Sequence, residues 1–292
     1  MKVLVTGSGG QLGYDVVREL QKRGYTDIYA PKKEELDLTN KKSVYKYFEE
    51  VKPDAVIHCA AYTAVDNAED DEKNAIKINI EATSYISDNC KKYNSKLVYI
   101  STDYVFDGEK PLDEAYEVDD GTNPQSVYGK SKLQGEKQAL YNPHTFVVRT
   151  SWVFGINGKN FVKTMLNLAE TRNEINVVSD QWGSPTYTVD LSRLLVDMIE
   201  TNKYGIYHAN NEGYCNWAEF AEEIFNSNGI NMKVNHITSE EYPQKAKRPK
   251  NSKLSKKSLV NAGFELLPDW HDALKRYNKE LKKNKTLVKE LK

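Results

Sequence analysis

Along the first half of the chain, short β-branched runs alternate with stretches whose apolar positions recur every three to four residues, the periods of strand and helix. A strand over 2–6 runs into Gly7-Ser8-Gly9-Gly10-Gln11-Leu12-Gly13, and a helix over 11–22 follows with Leu12, Val16, Val17 and Leu20 on one side. Further strands are expected over 27–30, 55–58, 96–100 and 145–149, with helices over 41–51 and 72–93 between them. This alternation predicts an α/β fold, a Rossmann-like doubly wound parallel sheet. Beyond residue 150 the pattern loosens into helices over 160–169, 189–200, 217–225 and about 270–281, and strands over 175–178 and 205–209. Asn216 is placed to cap the third of these helices, and its aromatic residues are assigned to a core. The expected organisation is a dinucleotide-binding domain over 1–150, with return segments near 174–180 and 204–210. Residues 151–292 form mostly a smaller C-terminal α/β substrate lobe.

Composition narrows the partners. The 292 residues carry Lys+Arg 41 against Asp+Glu 42, a net charge of -1, which gives no general attraction to nucleic acid or an anionic membrane. The expected partner is a small molecule, and a homodimer is one candidate assembly. No apolar run approaches a membrane span and the chain starts directly in a strand pattern, so a cytoplasmic location is expected. Cys59, Cys90 and Cys215 are far apart and odd in number, which fits reduced thiols, and no compact acidic cluster suggests a metal. His58 falls inside an apolar run and reads as a satisfied core histidine. The charged stretch from 279 to 292 reads as a solvated helical tail.

The chemistry gathers at the ends of strands. Gly7, Gly10 and Gly13 directly after a strand and before a helix suit a tight turn, close approach to a pyrophosphate and close helix packing. The second strand ends in Ala30-Pro31-Lys32-Lys33 where an NAD site would offer an acid, so NADH and NADPH both stay open. Small residues from Cys59 to Thr63 let backbone approach a cofactor. Tyr128 and Lys132 lie one helical turn apart, which allows the ammonium to lower the phenol's pKa and make it a general acid. A hydroxyl from Ser101 or Thr102, at the end of the fourth strand, is expected to polarise the same carbonyl oxygen. Arg248, with Lys245, Lys247 and Lys250, forms the densest basic group of the second half and suits a diphosphate.

These features resemble the extended short-chain dehydrogenase/reductases, a group of mostly nucleotide-sugar enzymes. The runs Ala60-Ala61-Tyr62-Thr63-Ala64-Val65-Asp66, Ser101-Thr102-Asp103-Tyr104-Val105-Phe106, Arg149-Thr150-Ser151-Trp152-Val153-Phe154-Gly155 and Gln181-Trp182-Gly183-Ser184-Pro185-Thr186 are similar, within that group, to the dTDP-4-dehydrorhamnose reductases. The resemblance covers nearly the whole chain. It implies reduction of a dTDP-sugar ketone with NADH or NADPH, with Tyr128 as proton donor, Lys132 lowering its pKa and Thr102 tuning it. Carried over residue by residue, it implies that Gly7, Gly10, Gln11, Leu12, Asp37, Leu38, Ala60, Ala61, Tyr62, Thr63, Ile100, Tyr128 and Lys132 touch the cofactor. Thr102, Asp103, Trp152 and Arg248 would touch the sugar nucleotide. Alternatives left open are another reductase or an epimerase of the same group, or a non-catalytic nucleotide-binding subunit.

Overall fold

The computed structural model describes residues 1–290, and side chains to residue 284; the last two residues of the expected tail lie outside the described residues. Strands β1 (Val3–Thr6), β2 (Ile28–Tyr29), β3 (Ala55–His58), β4 (Lys96–Thr102) and β5 (Thr145–Thr150) join Gly205–His208 in one six-stranded sheet. The spatial order is Gly205–His208, β5, β4, β3, β1, β2, and every pairing is parallel. A parallel sheet is covered on both faces, which is why β1, β3 and β5 read as unbroken buried runs. On one face Val16 and Leu20 of the helix Gln11–Lys22 meet Leu191, Leu195 and Met198 of the helix Thr188–Ile199. On the other, Phe48, Ile86, Cys90 and Ala139 form the core with Tyr99 and Val147.

The segment Gly205–His208 returns to the main sheet, beside β5. The one expected near 174–180 does not: Glu174–Val178 pairs in parallel with Lys233–Ile237 as a separate two-stranded sheet. With only Val234 and Ile237 apolar and no residue fully buried, Lys233–Ile237 gives little periodicity from which that partner could be foreseen. A second core, built on Phe154, Phe220, Phe225, Trp270 and Tyr277, underlies this half of the molecule. Asn216 caps the helix Trp217–Asn226 in a full capping box with Glu219, and Asn160 caps Phe161–Leu168 through Lys163 N. The long helix over 72–93 carries a π-helical stretch, Lys77–Glu81. Its buried Asn79 donates to Ser131 Oγ (2.9 Å) and accepts from Tyr62 N (2.8 Å), tying the bulge to the helix Val127–Ala139.

Candidate active site

The glycine loop follows β1 at the sheet's carboxyl edge. Gly7 has φ of 68°, and a Cβ there would meet Ala60 N at 2.6 Å; one on Gly13 would meet Gly7 O at 2.3 Å. The loop therefore packs against both the start of its helix and the end of β3, leaving room for nothing larger than hydrogen. Gly10 caps the helix Gln11–Lys22 without a side-chain partner, so first-turn N–H groups are left to an incoming anion. A cleft of about 1020 Å³ runs from this loop past the ends of β2, β3 and β4. Gly7, Gly10, Gln11, Leu12, Asp37, Leu38, Ala60, Ala61, Thr63 and Ile100 all line it, as do Thr102, Asp103, Tyr128, Lys132 and Trp152.

Tyr128 sits in the first turn of the helix Val127–Ala139, which Ser126 caps by accepting from Gly129 N at 3.1 Å. Lys132 follows one turn on, 3 % exposed, its Nζ 4.1 Å from the centre of the Tyr99 ring. The expectation that this ammonium lowers the phenol's pKa does not describe the structure. Burial pushes the Tyr128 phenol well above its ordinary value; the Thr102 hydroxyl pulls it down, while the Asp103 carboxylate raises it further. Burial also pushes Lys132 down to about 7, against the pull of Glu136. Burial thus favours the neutral form of both groups, and the Lys132 cation, which lies over the Tyr99 ring, is not among the influences that shift the phenol.

Ser101 and Thr102 part company at the end of β4. Ser101 donates to Glu136 Oε1 at 2.5 Å, and Glu136 in turn holds Arg149 through bonds of 2.9 Å from Nε and from Nη2. The Thr102 hydroxyl donates to Asp103 Oδ1 at 2.9 Å and accepts from Tyr104 N at 3.3 Å. Asp103 also accepts from Ser252, yet burial pushes its carboxyl up to about 6. Of the two expected hydroxyls, Thr102 is the one near the phenol.

Tyr62 is not among the residues lining the cleft: its hydroxyl donates to Asp71 Oδ2 at 3.3 Å and its N–H to Asn79. Arg248 lines a second cavity of about 800 Å³, which meets the first at Tyr104, Trp152 and Trp217. Its guanidinium is engaged by Asp66 Oδ2 at 2.5 Å, Tyr104 Oη at 2.9 Å and Gln244 Oε1 at 2.8 Å. Lys245 pairs with Asp70 and Lys247 with Glu109, so much of the basic group is neutralised by acids of the first half. Trp217, assigned to the core from its helical stripe, lines both cavities and stacks on Trp152 with ring centres 3.7 Å apart at 16°. Its place directly after the cap, at the open end of the helix, is the signal that could have separated it from Phe220 and Phe225. Trp152 itself has φ of 50°, a left-handed conformation that a bulky residue rarely adopts. No helix is long and apolar enough to cross a membrane, and no group of three or more His, Cys, Asp or Glu could hold a metal ion, among the described residues.

The family described as RmlD substrate binding domain matches residues 1–283. The chain is 41% identical over 280 residues to the spore coat polysaccharide biosynthesis protein SpsK of Bacillus subtilis, covering 96% of this chain and 97% of the relative. Among solved structures it is similar to a dTDP-4-dehydrorhamnose reductase of Clostridium acetobutylicum, with TM-score 0.94, 43% identity, and coverage of 97% of this chain and 100% of that one. A dTDP-4-dehydrorhamnose reductase of Bacillus anthracis in complex with NADP matches with TM-score 0.92 and 42% identity, over 96% of this chain and 100% of that one.

Proposed function

Because the chain belongs to the dTDP-4-dehydrorhamnose reductase family and is an NAD(P)H-dependent reductase, we propose that it reduces dTDP-4-dehydro-L-rhamnose to dTDP-L-rhamnose, with Tyr128 as the proton donor. The observation that carries this reading is a shared cleft: Thr102, Tyr128 and Lys132 line the same space as the glycine loop. The loop has the close backbone approach that a dinucleotide pyrophosphate needs, and uncapped N–H groups to meet it. Lys32 and Lys33, at the end of β2, also line the cleft and suit the 2′-phosphate of NADPH. When bound, the nicotinamide supplies a hydride to the ketone carbon.

The chain's own groups manage the proton. A phenol pushed above its ordinary pKa is fully protonated at neutral pH, so Tyr128 enters each cycle loaded. The alkoxide that forms as the C=O π bond breaks is a stronger base than a phenolate, so transfer from Tyr128 runs downhill in spite of the raised value. Lys132, a turn away, can carry the positive charge that the new phenolate calls for. Thr102 orients the phenol. Trp152 and Trp217 offer a flat aromatic surface to a deoxysugar where the two cavities meet, and the second cavity, with Arg248, has room for the nucleoside diphosphate.

The similarity to SpsK favours one second reading, a different 4-keto sugar nucleotide destined for a surface polysaccharide. Following NADPH and NADH oxidation with dTDP-4-dehydrorhamnose, beside its UDP counterpart, tests both. Stoichiometric cofactor consumption with the dTDP compound is the expected result. Conversion of the sugar without net consumption would point to an epimerase, and no conversion of either compound would remove the proposal.

A further inference from the structure

The glycine loop itself contains no cation, and neither acid nor base lies in the first turn of the helix that follows it. A pyrophosphate laid there carries two negative charges, more than a helix N-terminus offsets. The cleft is lined by four cationic side chains: Lys32, Lys33, Lys132 and Lys159. The first two stand at the end of β2, and the third beside Tyr128. Lys159 comes from the other half of the molecule.

It lies in residues 155–160, a segment fastened directly onto the glycine loop. Asn157 Nδ2 donates to the carbonyl oxygens of Gly9 (2.8 Å) and Gly10 (3.3 Å). The Gln11 side chain accepts from Gly155 N (3.1 Å) and Asn160 Nδ2 (3.0 Å), so its carboxamide oxygen serves the join between the lobes. Lys163 steadies the segment by donating to Ile156 O (2.6 Å) and Gly158 O (2.8 Å). Gly158, Lys159 and Asn160 line the same cleft as the glycine loop. Lys163 gives two of its three N–H donors to these carbonyls; Lys159 has no carboxylate partner among the described residues. Lys159 is exposed and lines the cleft from a segment bonded to the glycine loop, so its ammonium is free to meet an anion bound there.

We propose that residues 155–160 form a latch over the cofactor's pyrophosphate, and that Lys159 is the cation that binds it. This rests on the nicotinamide-cofactor reading of the cleft and adds a phosphate ligand from the substrate lobe. The latch also continues from Trp152, so the phosphate end of the cofactor and the sugar platform share one stretch of chain.

The test is direct titration of the whole protein with NADPH, read by nicotinamide fluorescence, at two salt concentrations. Lys159→Ala should weaken binding about tenfold, as expected for loss of a charge-assisted contact to phosphate, and make the salt dependence shallower. Lys159→Glu should weaken it more, and Lys159→Arg should stay within about threefold of the wild type. Asn157→Ala, which loosens the latch without removing charge, should weaken binding several-fold and leave the salt dependence unchanged. Binding of NADPH to Lys159→Ala within about twofold of the wild type, with the same salt dependence, would overturn the inference. Failure of the wild type to bind either NADPH or NADH is a separate outcome: it would overturn the cofactor reading beneath, and this inference with it.

Discussion

A phenol that must surrender a proton to an alkoxide gains by keeping it until the ketone is in place. Tyr128 meets that condition through burial, with its pKa pushed up and the Thr102 hydroxyl holding the increase back. On the proposed mechanism, Tyr128→Phe should lower kcat by about a thousandfold, within the span general acids supply, and leave NADPH affinity within about threefold. A variant that turns over at the normal rate would remove Tyr128 from the role. The pH dependence then belongs to its neighbour. Lys132 is charged below about 7 in the free protein and loses its proton as the pH rises through that value. An anionic cofactor alongside moves the transition upward. kcat/KM should therefore fall on the alkaline side well before any tyrosine titrates. Lys132→Arg, slower but permanently charged, should flatten that limb. An Arg variant with the same alkaline limb as the wild type would assign the ionisation elsewhere.

At the scale of elements, the helix Val127–Ala139 is locked to the sheet by a buried charge pair. Glu136 and Arg149 are each 3 % exposed at the side chain, and Ser101 completes the carboxylate's bonding from β4. Removing one partner leaves the other charged and unmatched in the interior. Glu136→Gln should cost about 3–5 kcal/mol of stability, checked by urea unfolding. Because Glu136 supports the charge of Lys132, the same variant should shift the alkaline limb of activity to lower pH; an unmoved limb would reduce Glu136 to a structural tie. Such ties mark where sequence reading stops. The Tyr128–Lys132 spacing, the strand end at Thr102 and the glycine turn are local patterns, so they were legible along the chain. The direction of the Tyr128 shift was not, because it depends on burial that neighbours far apart in sequence create. Gln11 meeting Gly155 and Asn160, like Arg248 meeting Asp66, joins residues more than a hundred positions apart, and no periodicity announces such pairs. The pairing of Glu174–Val178 with Lys233–Ile237 escaped for the same reason.

Across the whole molecule, the two halves are cross-braced near the sheet. Thr188 donates to Asp15 at 2.5 Å, Arg18 reaches Glu280 at 2.8 Å, and Arg23 reaches Asp197 at 2.6 Å. The main sheet that carries this frame also buries two histidines, His58 in β3 and His208 in the return strand. His58 has Thr6 Oγ1 2.6 Å from its Nδ1 and Thr83 Oγ1 3.3 Å from its Nε2, the satisfied core histidine that its apolar run suggested. Burial pushes both imidazoles down to about 3, with Lys132 adding to the effect at His58 and Arg149 at His208. Their folded values lie below the ordinary 6.5, so the unfolded chain binds protons that the folded chain refuses. Their stabilising contribution is complete above about 6.5 and is lost as the pH falls toward 3. Asp103 works the other way: its carboxyl is raised from 3.8 to about 6, so its contribution is complete below 3.8 and lost as the pH rises through 6. Burial raises the Asp15 carboxyl in the same direction; the two histidines, displaced from 6.5 to about 3, outweigh these carboxyls, and unfolding free energy from urea titrations should decline from pH 6.5 to 4.5. Each histidine contributes up to about 1.4 kcal/mol per pH unit in that window. His208→Gln, which removes the group facing Arg149, should make the decline shallower by about that amount, whatever it does to stability at pH 7. A parallel decline in that variant would mean that His208 takes up its proton in the folded protein, and that acid sensitivity arises elsewhere in the frame.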